Sequence, residues 1–261
     1  VLQGLAMARG VVEKARIGSD VERCLPKSVV LEIHAAGEVT MDLGYDLTCR
    51  RRRAGRRKER TAMDRSSAWG IVTEHVAAAG LRRHMLAVEA AMRFYAGKLG
   101  EDPELWGLAG LLHDYDWEIH PTLEAHPKAG IALLSAAGAP EPVLQAILSH
   151  NEEGTGVARR AAIDFALLAC DEVTGLVIAA ALVRPSKDVR DVELKSIQKR
   201  WKEKSFAAGV DRPHVESATA DFSAACFAGG LDLWQHVGNV LTAMQGAAAE
   251  LELDGRMASS G

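Results

Sequence analysis

The stretch Leu105-Trp-Gly-Leu-Ala-Gly-Leu-Leu-His-Asp-Tyr-Asp-Trp117 places an imidazole beside a carboxylate, directly after an apolar run. More histidines lie nearby, so that five of the nine in the chain fall between residues 84 and 150. Imidazole and carboxylate together suit borderline divalent metals such as Zn, Mn and Fe. The stretch therefore indicates a metal site, and a metal site in a chain of this size indicates an enzyme.

The bulk composition is that of an ordinary soluble globular protein. The 261 residues suffice for one large domain or a domain with an appendage, and 48% of them are hydrophobic. A net charge of -4 gives no general reason to expect binding to a nucleic-acid polymer or a membrane. No apolar run approaches the roughly 20 residues that span a bilayer. The four cysteines are far apart, which fits a reducing cytoplasm.

The composition changes near residues 49–66, where arginines dominate between Arg50 and Arg60. Such a run repels itself, which favours a disordered linker over a site for nucleic acid or anionic lipid. Before it, residues 29–34 and 38–43 alternate loosely and could form a hairpin. We therefore divide the chain into an N-terminal extension, 1–62, and a main domain, 63–261. One hypothesis is that 1–62 is upstream translated sequence and that Met63 is the working start.

From Asp64 onward the pattern is helical almost throughout. Apolar residues at Met85, Val88, Met92 and Tyr95 predict a helix over 81–99. Asp102-Pro103 supplies an N-cap and a first helical residue for a helix through Leu112. Further helices are predicted over 127–137, 143–148, 161–183, 192–204, 213–228 and 231–251. The sequence thus predicts an all-α bundle, whose last helix could close the core or form the face of a homodimer.

Six residues are candidate metal ligands: His84, His113, Asp114, His126, His150 and Asp171. Apart from the adjacent pair, each falls on a different predicted helix or at a helix end. Helix bundles build metal sites in this way, with several helices each projecting a ligand into a shared interior. Neighbours on a helix point roughly 100° apart. The adjacent pair can therefore share one site only at a helix end, or if the ligands surround two metals.

His84, then His113-Asp114, then Asp171, in that order on an all-helical chain, resembles the HD superfamily of metal-dependent phosphohydrolases. The resemblance covers roughly residues 66–210 and is closest to small stand-alone bacterial HD-domain hydrolases. It implies an HD-domain helical bundle in which these four residues bind one divalent metal. His126 and His150 are placed like the additional ligands of members that hold two. The implied cofactor is one or two ions of Mn, Zn, Fe or Mg.

The resemblance implies hydrolysis of a small phosphate ester, either a phosphomonoester or a phosphodiester, with nucleotides included. The Gly-Tyr-Pro signature of the cyclic-dinucleotide branch is absent after His150, which lowers the expectation of a cyclic-di-GMP phosphodiesterase. Two alternatives stay open. A metal-activated water could instead cleave a carboxylic ester or lactone, and the metal could be structural in a non-catalytic ligand-binding module.

Other residues are candidates for supporting roles. Asp116 could orient a ligand histidine, act as a general acid beside Asp114, or cap a helix at the surface. His120 could contact the substrate or be simply exposed. Arg184 and Lys187 could hold a phosphate. The remaining histidines are predicted to be structural or surface residues: His34, His75, His214 and His236.

Overall fold

Contacts between residues divide the chain into two units, Val1–Glu59 and Arg60–Gly261. The structure, a computed structural model, describes residues 29–33, 39–43, 63–203 and 205–258. In the first unit, β1 (Val29–Ile33) and β2 (Val39–Leu43) pair antiparallel, with Val29 opposite Leu43. This is the hairpin that the alternating pattern predicts. The Arg-rich run lies outside the described residues.

The described part of the second unit contains ten α-helices, so the predicted all-α fold of the main domain is confirmed. They are α1 (Arg65–His75), α2 (Ala79–Leu99), α3 (Pro103–Leu112), α4 (Ile131–Ala137), α5 (Glu141–His150), α6 (Glu152–Thr155), α7 (Ala162–Leu182), α8 (Leu194–Arg200), α9 (Arg212–Cys226) and α10 (Leu233–Gly246). Two short 3-10 helices, Val189–Asp191 and Arg256–Ala258, complete the described elements.

Helix α3 packs directly on α2, and this contact sets the positions of His113 and Asp114, which follow α3. The Asp102 side chain accepts the Glu104 N–H at 2.9 Å and starts α3 beside Pro103. Gly110 then faces α2 so closely that a Cβ there would lie 2.8 Å from the backbone nitrogen of Glu89. Only glycine permits this approach, and it holds the end of α3 against α2.

A buried carboxylate ties the first two helices together. Glu89 on α2 is 3% exposed, and its oxygens accept hydrogen bonds from Arg65 on α1 and from Arg93 one turn further along α2. A buried charge is tolerated only when it is paired in this way. The network fixes α1 over the α2–α3 pair.

Helix α7 runs through the core and packs against α2, α5, α9 and α10. Its first turn is capped by the buried Asp164, whose Oδ2 accepts the backbone N–H groups of Arg160 and Ala161. By length and composition alone α7 could cross a membrane, with a mean hydropathy of 1.9 over its most apolar window. The expectation that no apolar run approaches that length is therefore wrong. Because 61% of this window is buried inside the protein, its apolar character is explained by the core.

Several predicted helices are shorter than expected. The helix predicted over 127–137 begins only at Ile131, because residues 113–130 form successive turns instead. The helix predicted over 192–204 covers Leu194–Arg200, and the last one ends at Gly246 rather than at residue 251. The last helix, α10, buries Val237, Val240 and Leu241 and so closes the core.

Candidate metal centre

The six candidate ligands converge from four helices and one turn. His84 lies on α2, His113 is the C-cap residue directly after α3, and Asp114 follows it. His150 is the last residue of α5, and Asp171 lies midway along the core helix α7. His126 comes from the turns between α3 and α4. The six residues are far apart in the sequence, but the fold brings them together in a single cluster.

The first group of ligand atoms contains His84, His113, Asp114 and Asp171. Nε2 of His84 lies 3.2 Å from Nε2 of His113 and 2.9 Å from Oδ1 of Asp171. Oδ2 of Asp114 lies 3.4 Å from Nε2 of His113 and 3.7 Å from Nε2 of His84. Ligands bound about 2.1 Å from one ion in tetrahedral or octahedral directions are separated by roughly 3.0–3.5 Å. The four residues therefore fit one divalent cation.

The second group contains His126, His150 and the other oxygen of Asp114. Nε2 of His126 lies 3.1 Å from Nε2 of His150 and 3.1 Å from Oδ1 of Asp114. Nε2 of His150 lies 3.9 Å from the same oxygen. Asp114 therefore belongs to both groups, with one oxygen turned toward each. Its position beyond the end of α3 explains how it and His113 can share a site.

The four imidazoles all have Nδ1 tied to an acceptor outside the cluster. His113 donates to the Gly110 carbonyl at 2.9 Å, and His150 donates to the Ile147 carbonyl. His126 donates to Asp116 at 2.7 Å. The Thr174 hydroxyl donates to the Asp171 carbonyl at 2.7 Å, so it accepts from Nδ1 of His84 at 3.2 Å. In the neutral rings each proton therefore sits on Nδ1, and each Nε2 presents a lone pair to the cluster.

Lone pairs and carboxylate oxygens packed this closely require a positive charge between them. Burial alone would lower the pKa of His113, but the Asp114 and Asp171 carboxylates outweigh burial and raise this pKa well above its usual value. The pKa of His126 is raised to about 9, because Asp114 and Asp116 likewise outweigh burial. Burial and the neighbouring His113 lower the pKa of His150 to about 4. The field of the cluster thus favours a cation, and its donors suit a divalent metal.

Asp116 lies behind His126 and has no open path to the cleft. It is fully buried, and its Oδ1 is the acceptor that holds Nδ1 of His126. Within the described residues, its Oδ2 has no hydrogen-bond partner. Of the three roles considered for Asp116, this placement supports the orientation of a ligand histidine.

A cleft of about 860 Å³ opens onto the cluster and a smaller cavity of about 380 Å³ adjoins it. The larger cleft has Asp114, His126, His150 and Asp171 at its metal end. The smaller cavity borders His84 and Asp171 and is otherwise lined mainly by small residues such as Gly175 and Ala207. The two cavities meet at Asp171 and Glu172, which line both. The ligand atoms are thus reachable by a small molecule.

Three candidates for supporting roles lie away from these cavities. Arg184 follows the end of α7 and donates to Ser196. Eleven helical residues separate Asp171 from the end of α7, which corresponds to about 16 Å of helix. Lys187 is further along, and His120 lies in the turn after the ligand pair without lining either cavity. The structure does not bring these three residues to the cluster.

The cleft also contains residues that the sequence pattern did not single out. Asn151 donates to the carbonyls of Leu123 and His126, both at 2.7 Å, and so joins the His126 turn to the end of α5. Trp117 lines the cleft as well, as does His214, which the sequence predicts to be a structural or surface residue. For Asn151 a signal was present, since it directly follows a ligand histidine at a helix end.

The comparison with family models matches residues 81–183 to the HD domain. This segment is an HD domain. All six ligand candidates fall inside it, and the HD domain implies a metal-dependent hydrolase. The searches of curated proteins and of solved structures found no significant match. Helices α8, α9 and α10 lie beyond the matched HD segment, although α9 contributes His214 to the cleft.

Proposed function

We propose that the HD domain hydrolyses a small phosphate ester, with two divalent cations held by the six ligands. The observation that carries this proposal is the position of Asp114, whose two oxygens face two separate ligand groups next to one cleft. Bound cations would lower the pKa of a coordinated water toward neutrality and neutralise charge on the phosphoryl oxygens. Because imidazole donors outnumber carboxylates, Fe and Zn suit the site better than Mg.

The residues of the chain have separate tasks in this proposal. The imidazoles and carboxylates would hold the cations. Hydrogen bonds to Nδ1 of each imidazole set its tautomer and orientation. Among the residues that the structure describes, Arg159 is the arginine that lines the cleft, and it donates to the Ser149 carbonyl and pairs with Glu152. We propose Arg159, rather than Arg184 or Lys187, as the cation available to an anionic substrate.

An activity panel tests the proposal directly. Purified protein is loaded separately with Mn, Fe, Zn and Mg and assayed on 4-nitrophenyl phosphate, its methyl diester and 4-nitrophenyl acetate. We expect hydrolysis of at least one phosphate ester that is abolished by His113→Ala. Cleavage of the acetate alone would favour the carboxylic-ester alternative. Inactivity of fully loaded protein on all three esters would contradict an enzymatic role in ester hydrolysis.

The cellular setting is also a proposal. Among the described cysteines, Cys170 and Cys226 are both free thiols, which is compatible with a reducing cytoplasm. We propose that the protein acts there on small molecules, without a membrane or a nucleic-acid polymer as partner. We also propose that the protein forms a homodimer, which light scattering would test by measuring its molecular mass in solution.

A further inference from the structure

His214 lines the cleft but belongs to neither group of metal ligands. The imidazole has no hydrogen bond to any protein group within the part of the chain that the structure describes, so both ring nitrogens are open to a ligand. A histidine in this position differs from a structural one such as His236, whose two nitrogens are bonded to Tyr95 and to the Ala169 carbonyl. The His214 ring can therefore exchange a proton with a molecule bound in the cleft.

The backbone of His214 is held rigidly although its ring is free. It lies in the first turn of α9, where the Asp211 side chain accepts its N–H at 3.2 Å. Pro213 precedes it inside the helix. Helix α9 packs on α7 and buries Phe222. The imidazole is thus carried to the cleft on a fixed support.

The first turn of α9 also lies next to the metal end of the cleft. Glu172 follows the ligand Asp171 on α7 and lines the cleft together with it. The His214 ring therefore borders the same cleft as a candidate metal ligand and the residue that follows it.

Several other polar groups of the cleft have roles in the proposed function. Asp114 and Asp171 are proposed metal ligands, and Arg159 is the cation proposed to hold the anionic substrate. A guanidinium does not give up its proton at any pH that the protein survives. Imidazole, by contrast, exchanges protons near neutral pH and is the commonest general acid in enzymes.

We propose that His214 is the general acid that protonates the leaving group of the phosphate ester, and this rests on the function proposed above. A water molecule loses one proton to solvent as its oxygen attacks phosphorus and forms the new P–O bond. The bond from phosphorus to the ester oxygen breaks, and its electron pair stays on that oxygen. The His214 imidazolium gives its proton to this oxygen, which departs as a neutral alcohol or phenol. Solvent then returns a proton to the ring.

Leaving-group dependence separates this role from a structural one. We compare wild type, His214→Gln and His214→Asn on 4-nitrophenyl and phenyl phosphates, as monoesters or methyl diesters according to which class wild type cleaves. Nitrophenolate departs without a proton, whereas phenolate needs one. Because general acids contribute about 100-fold or more, kcat on the phenyl ester should fall by about that factor. On the nitrophenyl ester the same variants should lose less than about fivefold.

Glu216→Gln is the matched control, because Glu216 is exposed on the same helix and does not line the cleft. Metal content and thermal unfolding of every variant are measured alongside, and both should match wild type. Equal losses on the two esters, or no loss on either, would overturn the role of His214 while leaving the hydrolase intact. If metal-loaded wild type cleaves neither ester, the proposed function fails, and the role of His214 fails with it.

Discussion

Oδ1 of Asp116 accepts a hydrogen bond from Nδ1 of His126 at 2.7 Å, deep in the protein where Asp116 has no exposed surface. This contact fixes the tautomer of His126, so that Nε2 faces Asp114 at 3.1 Å. A carboxylate behind a ligand histidine also makes the imidazole a better donor to a metal. The Asp116–His126 pair is therefore a support for the second group of ligands.

The substitution Asp116→Asn should weaken metal binding at the second group by about 10- to 100-fold, which is the usual effect of removing such a support. Activity should return when excess metal is added, because the chemistry itself does not use Asp116. Titration with Mn, followed by calorimetry and by activity, measures both effects.

Asp164→Asn is a matched control, since Asp164 is also buried and also has one oxygen without a partner among the described residues. It caps α7 away from the cluster, so its loss should lower the melting temperature without changing metal affinity. If Asp116→Asn is inactive even at saturating metal, Asp116 takes part in the reaction and the supporting role is refuted.

The approach of α3 to α2 at Gly110 should tolerate no side chain. Gly110→Ala places a Cβ against the backbone of Val88 and Glu89, so we expect a loss of about 1–3 kcal/mol in the free energy of unfolding. Metal affinity should fall too, because Gly110 also accepts the hydrogen bond from His113. Gly97→Ala on the exposed side of α2 meets nothing within 4 Å and should be neutral or stabilising by up to about 1 kcal/mol. Equal free energies of unfolding for the two variants in urea denaturation would contradict the close approach of α3 to α2.

His236 should make the stability depend on pH. Burial lowers its pKa from 6.5 to about 4, so the unfolded chain binds a proton more readily than the folded protein below pH 6.5. The neutral ring thus contributes stability that is complete above about pH 7 and is lost as the pH falls toward 4. At about 1.4 kcal/mol per pKa unit, the loss amounts to roughly 3 kcal/mol. His236→Gln should remove this slope, and urea denaturation at several pH values would refute the prediction if both proteins changed in parallel.

The helical fold and most of the ligand set are visible in the sequence because they rest on local signals. Asp102-Pro103 favours the start of a helix whatever packs against it, and the predicted span through Leu112 matches α3. His84, His113 and Asp171 are candidate ligands because their order in a helical chain resembles that of the HD superfamily. The first residue of α4 was missed because turns replaced the predicted helical start at Pro127.

The cleft itself depends on contacts between distant segments. His214 comes from a helix beyond the HD segment, and no local pattern distinguishes it from a surface histidine. Arg184 and Lys187 carry a charge suited to phosphate, but the length of α7 separates them from Asp171. Charge and spacing in the sequence indicate which residues could bind a phosphate. Only the packing of α7 and α9 shows which side chains share a cavity.

The metal content of Asp114 variants tests the central proposal most directly. After Mn loading and removal of free metal, elemental analysis of wild type should give about two ions per chain, as expected for a bridged pair. His150→Ala should retain about one ion, since it removes a ligand from the second group alone. Asp114→Ala removes a ligand from both groups and should retain nearly none. Wild type saturating at a single ion, or Asp114→Ala still holding two, would contradict a centre in which Asp114 joins two cations.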